Sequence, residues 1–244
     1  MPSLRAIICI FHIHLARLRA EAGPFLLAAL VFPTAMYLFA SAISSSGAAS
    51  ENRPRFLAGS IVFSLSLTAI SWLGYLLLEN RFTGRLKLFA TLPLAPSSYV
   101  FGILLFGIVQ AALGCSALLM IARVLGVRTQ LSLLPLLVSV LLTMLCLSGL
   151  SVIIATRARS FSEGSLLTDS LGAGLIFLAP VYYPPRAVPH FLRVVSEWLP
   201  TALGARAVQT ALAGSYAPGD LLILAAMAVV TLSLGFKLMQ FRER

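Results

Sequence analysis

The sequence predicts an all-α integral membrane protein with six transmembrane helices, and three observations lead to this fold class. Hydrophobic residues make up 59% of the 244 residues and charged residues only 11%, whereas about a quarter of the residues in soluble domains are charged. The mean hydropathy is +0.96. Six apolar runs are long enough to cross a hydrocarbon core of roughly 30 Å as helices. Most of this single domain, residues 1–244, is therefore expected to face lipid.

The six predicted spans are residues 24–44, 56–78, 99–122, 131–155, 165–183 and 221–239. An even number of spans places both termini on the same side of the membrane. With the termini inside, eleven of the 18 basic residues face the cytoplasm and seven face the opposite side. This bias favours cytoplasmic termini, and it accounts for the net charge of +10 without a nucleic-acid partner.

The segment before the first span, residues 1–23, has the periodicity of an amphipathic helix. Its apolar stripe consists of Leu4, Ile8, Phe11, Leu15 and Leu18. This pattern predicts a helix that lies along the cytoplasmic interface. His12 and His14 have no third ligand nearby, so no metal site is expected.

The connection between the second and third spans, residues 79–97, is too polar for the bilayer but has helical periodicity. Its apolar stripe is Phe82, Leu86, Phe89 and Leu92. Pro93 and Pro96 are expected to end the helix. The periodicity leaves two interpretations open: a rod that rests on lipid headgroups, or a handle that a soluble partner grips.

The segment after the fifth span, residues 184–218, is too charged to span the bilayer and too apolar for a solvated loop. A helical stripe of apolar residues lies on each side of Pro200, and this proline interrupts the helix between them. The pattern predicts a re-entrant hairpin that enters the outer leaflet and returns. Such backbone is tolerated where protein or water covers it.

Asp169 is the acidic residue that lies inside a predicted span, clear of its ends. It shares a helical face with Ser165 and Gly172, which predicts a translocation path or a dimer interface. The alternative is that Asp169 reaches cytoplasmic water, because it lies only about 9 Å along the helix from Glu163.

Motifs along the chain add a family resemblance. The connection between spans two and three presents, in order, Glu79, Gly84, Leu88, Leu92, Pro93, Leu94 and Ser97. The outer segment presents Tyr182-Tyr183-Pro184, Val188-Pro189 and Leu199-Pro200. In order and spacing these motifs resemble the membrane subunits of type-2 ATP-binding-cassette exporters, over nearly the whole chain. The chain departs from the family pattern at Arg85, where threonine is frequent, and at Leu199, where asparagine is frequent.

The resemblance implies that the rod is a coupling helix seated in a cleft of a separate ATPase subunit. The implied coupling residues are Glu79, Phe82, Gly84, Arg85, Leu86, Phe89, Leu92 and Pro93. The implied outer hairpin carries Tyr182, Tyr183, Pro184, Pro189 and Pro200. The loop over residues 156–163 is a second expected contact with the ATPase subunit, although a solvated loop fits it equally.

The resemblance further implies a permease in a bacterial-type cytoplasmic (inner) membrane that pairs with a second permease subunit. A homodimer is expected, and a heterodimer is the alternative. ATP and Mg²⁺ would be bound by the ATPase subunit, so this chain is expected to hold no cofactor. The implied cargo is amphipathic, drug-like, or linked to a lipid or glycan, and it would leave the cytoplasm.

Two other classes of function compete with a permease. A secondary transporter driven by an ion gradient could use Asp169 as a proton site, but the sequence shows no convincing inverted repeat. A membrane-embedded enzyme needs converging catalytic groups, and the sequence has neither an H-E-x-x-H helix nor paired intramembrane carboxylates. The sequence also lacks the G-x-x-x-x-G-K-[ST] phosphate loop, so we expect the chain itself not to be an ATPase.

Overall fold

The computed structural model describes residues 4–20, 23, 27–43, 49–86, 96–127, 129–179, 181–182 and 189–238. All regular structure in these residues is helical. The α-helices are α1 (Leu4–Ala20), α2 (Phe32–Ile43), α3 (Ala49–Ser66), α4 (Leu73–Phe82), α5 (Pro96–Val124), α6 (Leu133–Arg157), α7 (Phe161–Leu178), α8 (His190–Ser196), α9 (Pro200–Leu212) and α10 (Pro218–Leu238). Two π-helical turns complete the set: Leu27–Val31 leads into α2, and Leu67–Trp72 joins α3 to α4.

Four helices among the described residues are long and apolar enough to cross a membrane. They cover Arg53–Phe82, Ser97–Val124, Leu133–Arg157 and Pro218–Leu238. These helices correspond to the second, third, fourth and sixth predicted spans. Each of the other two predicted spans, 24–44 and 165–183, lies partly outside the described residues, and the count of six stays a prediction. The all-helical class is confirmed.

Helix α6 lies at the centre of the bundle and packs against α4, α9 and α10. Glycines permit the closest approaches between helices. Gly149 of α6 faces the side chain of Thr231 and the backbone of Leu232 on α10. Gly107 of α5 faces Leu73 and Met144 in the same way. The core is therefore assembled through small residues that let large apolar neighbours interlock.

Helix α1 covers the segment predicted to be an amphipathic helix, and it packs against α5. Ile10 lies over Gly102, and the rings of His14 and Phe106 are 5.8 Å apart. Both contacts advance by four residues on each helix, so α1 and α5 run side by side in the same direction here. The buried face of α1 is formed by Ala6, Ile10 and His14, whereas Leu4 and Ile8 of the predicted apolar stripe are exposed.

The π-helical turn Leu67–Trp72 interrupts the helix between α3 and α4. A π-helical turn breaks the regular i→i−4 bonding of an α-helix, so some of its carbonyls need other partners. Ser151 of α6 supplies one: its hydroxyl donates to the carbonyl oxygen of Ala69, and the carbonyl oxygen of Ile70 lies 3.4 Å away. The turn is thus held by a side chain from the central helix.

Helix α9 lies alongside the first half of α6 in the opposite direction. Gly204, near the start of α9, contacts Thr143. At the other end, the backbone N–H of Ser132 donates to the carbonyl of Ala211 (3.1 Å). Thr201 donates its hydroxyl to the carbonyl of Leu175 on α7 (2.6 Å). The first turn of α9 is therefore held between α6 and α7, about 15 Å along α6 from its first residue.

We expect the Gly149→Ala variant to lose stability, because a methyl group there would lie 2.7 Å from the Thr231 Cβ and 2.9 Å from the Leu232 nitrogen. Overpacking of this kind costs about 1–3 kcal/mol. The matched control is Gly174→Ala, because Gly174 is also helical and has nothing within 4 Å of the added carbon. Thermal unfolding of the purified protein in detergent measures both variants. Equal melting temperatures for the two variants would contradict this account of the contact between α6 and α10.

Candidate functional site

The C-terminus of α4 sharply ends the helical run formed by α3, the π-helical turn and α4. The N–H of Thr83 donates to the carbonyl of Glu79 (2.9 Å), and the Thr83 hydroxyl donates to the same oxygen (2.6 Å). Gly84 then adopts a φ of +77°, a left-handed conformation that glycine accepts without steric cost. The chain leaves the helix axis at this residue.

The structure interrupts the apolar stripe predicted from Phe82 to Leu92, because α4 ends at Phe82. Phe82 is the last residue of α4, and it is separated by the turn at Gly84 from Leu86, which is helical again. The two residues therefore do not lie on one continuous helix. The connection begins at Thr83 rather than at Glu79, because α4 continues through Phe82. Phe89, Leu92 and Pro93 lie outside the described residues.

Arg81 joins α4 to the end of α6. Its Nη1 donates to the carbonyl oxygens of Ala155 (2.6 Å) and Ala158 (2.9 Å). The last four carbonyls of a helix have no partner within the helix, and the C-terminus attracts positive charge. The guanidinium of α4 thus supplies hydrogen-bond donors for carbonyls at the end of α6. Its guanidinium also lies 5.1 Å from the ring centroid of Phe82.

The turn between α6 and α7 is closed by a reciprocal pair of caps. Ser160 accepts a hydrogen bond from the N–H of Glu163 (3.1 Å), and Glu163 Oε2 accepts one from the N–H of Arg159 (2.9 Å). This arrangement is close to a capping box, in which two helix-start donors are satisfied at once. The carboxylate of Glu163 also complements the positive end of the α7 dipole.

Helices α4 and α7 pack closely next to this turn. The rings of Tyr75 and Phe161 meet edge to face with centroids 5.0 Å apart. Gly164 lies directly against Leu78, so the two helices approach closely at this end of the bundle. The start of α5 is attached to α4 through Asn80, whose side-chain amide donates to the Tyr99 hydroxyl (2.8 Å).

These contacts bring two connections of the chain to one end of the bundle. We call the described part of this end the coupling surface, and it consists of residues 81–86 and 158–163. Phe82 is 39% exposed, and the side chain of Arg85 is 50% exposed and lies 3.4 Å from the Glu79 carboxylate. Leu86 packs partly against the core. Asn80, Arg81 and Tyr99 hold this surface together through bonds that no sequence pattern indicates.

The three residues of the predicted face, Ser165, Asp169 and Gly172, differ in their burial. Gly172 is buried, with Ile70 and Ser71 as its nearest neighbours, and Ser165 is partly buried. Asp169 is exposed, and within the described residues no cation or hydrogen-bond donor pairs with its carboxylate. The reason is that this face lies along the edge of the contact that α7 makes with α4 and the π-helical turn. Asp169 therefore belongs to the outward side of α7, which also carries Leu166 and Phe177.

The outer-hairpin residues fall into separate environments. The Tyr182 hydroxyl lies 3.3 Å from the Ser60 hydroxyl and ties the chain after α7 to α3. Pro189 precedes α8 and is exposed, whereas Pro200 is the buried first residue of α9. Tyr183 and Pro184 lie outside the described residues. In the described part of the chain, no group of three or more His, Cys, Asp or Glu residues could hold a metal ion.

Comparison with known proteins gives one finding for this chain. Residues 6–213 match the family described as ABC-2 type transporter, which is well over half of the sequence. No curated protein matches the chain. The matched range includes the coupling surface, α7 and the α8–α9 hairpin.

We expect Arg81→Met to loosen the turn between α6 and α7, because two helix-end carbonyls would lose a charged donor. Hydrogen bonds to charged groups contribute about 1.5–3 kcal/mol. Hydrogen–deuterium exchange should rise in peptides that cover residues 155–164. The control is Arg85→Met, which removes only a half-exposed ion pair of the kind that contributes about 0–1 kcal/mol. If both variants exchange equally in this segment, Arg81 does not hold the turn.

Proposed function

Because the chain belongs to the ABC-2 type transporter family, we propose that it is the membrane subunit of an ATP-driven exporter. In this proposal a separate ATPase subunit binds and hydrolyses ATP with Mg²⁺, and this multi-pass permease supplies half of the pathway. A second permease subunit supplies the other half, as a homodimer or with a related chain. The cargo is amphipathic, drug-like, or linked to a lipid or glycan, and it moves out of the cytoplasm.

The observation that carries this proposal is the bond between Arg81 and the end of α6. An ATPase subunit that presses on the coupling surface would act on α4 directly. Because Arg81 is bonded to the carbonyls of Ala155 and Ala158, the end of α6 and the turn before α7 would move with α4. Asn80 would pass it to Tyr99 at the start of α5. Four helices would then move as one unit when the ATPase subunits close.

The charge of the coupling surface supports its assignment to the cytoplasmic side. Arg81, Arg85 and Arg159 lie there, and Arg157 closes α6 beside them. Basic residues are retained preferentially on the cytoplasmic side of a membrane. The proposal therefore places both termini in the cytoplasm and the chain in a bacterial-type inner membrane.

The outward side of α7 is the surface that we assign to the pathway or to the second permease subunit. An exposed carboxylate in the lipid costs about 2.5–3.5 kcal/mol on insertion scales, so such a group normally faces a cavity or another helix. Asp169 has no such neighbour within the described residues. The same observation favours the second candidate, an ion-driven carrier in which Asp169 takes up a proton.

We expect Phe82→Asp to weaken the association with the ATPase subunit, because it places a carboxylate on the exposed apolar part of the coupling surface. The measurement is affinity purification of the tagged chain from its native membrane, followed by assay of ATP hydrolysis in the eluate. The control is Val124→Asp, which alters an 86% exposed apolar residue at the opposite end of the bundle. Phe89→Asp extends the series into the predicted coupling helix. ATP hydrolysis that elutes equally with both Phe82→Asp and wild type would contradict the assigned surface.

We expect Asp169→Asn to change transport or the association of two permease subunits, since it removes a charge from the outward side of α7. Chemical crosslinking in the membrane measures the association, and cargo retention in cells measures transport. Asp220→Asn is the comparison, because that carboxylate pairs with Arg206 at the start of α10 and lies outside both α7 and the coupling surface. Wild-type behaviour of Asp169→Asn in both assays would favour the alternative in which this side chain reaches water.

A further inference from the structure

Gln110 is a buried polar side chain near the middle of α5, the helix that can cross the membrane from Ser97 to Val124. The residue is only 1% exposed. Within the described residues neither Nε2 nor Oε1 of its amide has a hydrogen-bond partner. A buried amide without a partner destabilises a protein, and a bilayer supplies no partner in its place. Stability alone would favour an apolar side chain here, so the amide needs another explanation.

Two contacts between α4 and α5 place Gln110 level with the π-helical turn between α3 and α4. Asn80 donates to Tyr99, and Leu73 packs against Gly107. The residue number falls on α4 as it rises on α5, so the two helices run side by side in opposite directions. Gln110 follows Gly107 by three residues and is therefore level with the residue three before Leu73. That residue lies in the middle of the turn.

Gln110 also lies on the side of α5 that faces the turn. Successive residues of an α-helix are about 100° apart around the axis, so Gln110 lies about 20° from Tyr99 and about 60° from Gly107, between the two. Both of these neighbours contact α4, and α5 also packs against the turn itself. The side chain of Gln110 therefore leaves α5 in the direction of the turn.

The backbone of the turn is able to use a second hydrogen-bond partner. A π-helical turn contains one extra residue, and the N–H of Leu73 accordingly bonds to the carbonyls of Thr68 and Ile70. In this arrangement Ser151 of α6 donates to the carbonyl of Ala69. Moving the extra residue by one turn along the helix rotates the residues in between by about 100°. A carbonyl that faces α6 would then face another neighbour of the helix, and α5 is one of these neighbours.

We propose that the π-helical turn between α3 and α4 is a switch with two positions, and that Gln110 supplies the hydrogen bonds of the second. In the first position Ser151 donates to the turn and the amide of Gln110 is unpaired. In the second position the extra residue has moved, the bond from Ser151 is broken, and Nε2 of Gln110 donates to a carbonyl of the turn. The helix thereby exchanges one donor for another, so its carbonyls keep a partner inside the protein.

The place of the turn in the chain gives the switch a role in coupling. The turn joins α3 to α4, and α4 is bonded to the coupling surface and to α5 through Arg81 and Asn80. A change of position would rotate part of this helical run against its neighbours, including α7, which contacts the turn at Gly172. This role rests on the proposed function. The switch itself belongs to this chain alone and is testable without a partner.

The first test is a double-mutant cycle on the thermal unfolding of the purified full-length protein in detergent. Gln110→Met replaces the amide by an apolar side chain of similar length and breaks no bond of the first position. We expect it to raise the melting temperature by about 2–4 °C, and Ser151→Ala to lower it by about as much. In the Gln110→Met background, Ser151→Ala should lower the melting temperature about twice as far, because the second position no longer compensates.

Two control variants match these changes. Gln209→Met replaces an exposed glutamine of α9 and should leave the melting temperature unchanged. Ser148→Ala removes a buried hydroxyl of α6 that has no partner within the described residues, so it should not lower the melting temperature. If Ser151→Ala does not fold, Ser151→Cys takes its place in the cycle, because a thiol is a weaker donor of similar size.

The second test follows the turn itself by hydrogen–deuterium exchange of a peptide that covers residues 66–73. In the complex purified with its ATPase subunit, ATP should change the exchange of this peptide in the wild type but not in Gln110→Met. If no ATPase subunit co-purifies, the proposed function is contradicted, and the double-mutant cycle still decides the switch.

Two results of the cycle would overturn the switch. The first is an equal loss from Ser151→Ala in both backgrounds, since Gln110 would then never compensate. The second is a lower melting temperature of Gln110→Met than of the wild type, because Gln110 would then be bonded in the first position. An ATP-dependent change in exchange that persists in Gln110→Met would overturn the role of the switch in coupling.

Discussion

A membrane-embedded chain must satisfy its backbone hydrogen bonds within the protein, because lipid offers no partners. This constraint is visible wherever the backbone of the bundle departs from regular helix. Ser151 reaches from α6 to the π-helical turn, Arg81 reaches from α4 to the end of α6, and Thr201 reaches from α9 to α7. In each case a side chain on one helix donates to a main-chain carbonyl on another. The same bonds that remove the energetic cost of the irregularity also fix the helices relative to one another.

The irregularities divide the helix Arg53–Phe82 into two halves with different neighbours. Its first half, α3, packs against α2 and α9, whereas its second half, α4, packs against α6 and α7. The π-helical turn lies between these halves, and π-helical turns are frequent at functional positions. The coupling surface is attached to the second half. In the proposed function, a displacement of α4 by the ATPase subunit would therefore reach α3 through the turn held by Ser151.

The sequence predicts the helical class because apolar runs of this length have few other solutions in a membrane. It also indicates the coupling region, since polar residues between two spans mark a connection. It does not reveal the interruption at Gly84, because a glycine in a helical pattern is common and only the left-handed φ makes it a helix end. The sequence also does not predict that Asp169 is exposed while Gly172 is buried. Both lie on one helical face, but the edge of the contact that α7 makes with α4 and the π-helical turn passes between them. Nor does the sequence show that Arg81 bonds to the end of α6, because its partner carbonyls are distant in sequence.

The acidic side chains distinguish structural from functional positions. Glu79 pairs with Arg85, Glu163 caps α7, and Asp220 holds Arg206. Each of these carboxylates has a partner that explains its position at a helix end. Asp169 differs because it lies in the middle of an apolar helix and faces outward without a partner among the described residues. A membrane protein gains no stability from such a group, since the cost of placing it in lipid is not offset by a bond. In the proposed function this charge faces a second subunit, the pathway or the cargo, whereas in the alternative it reaches cytoplasmic water.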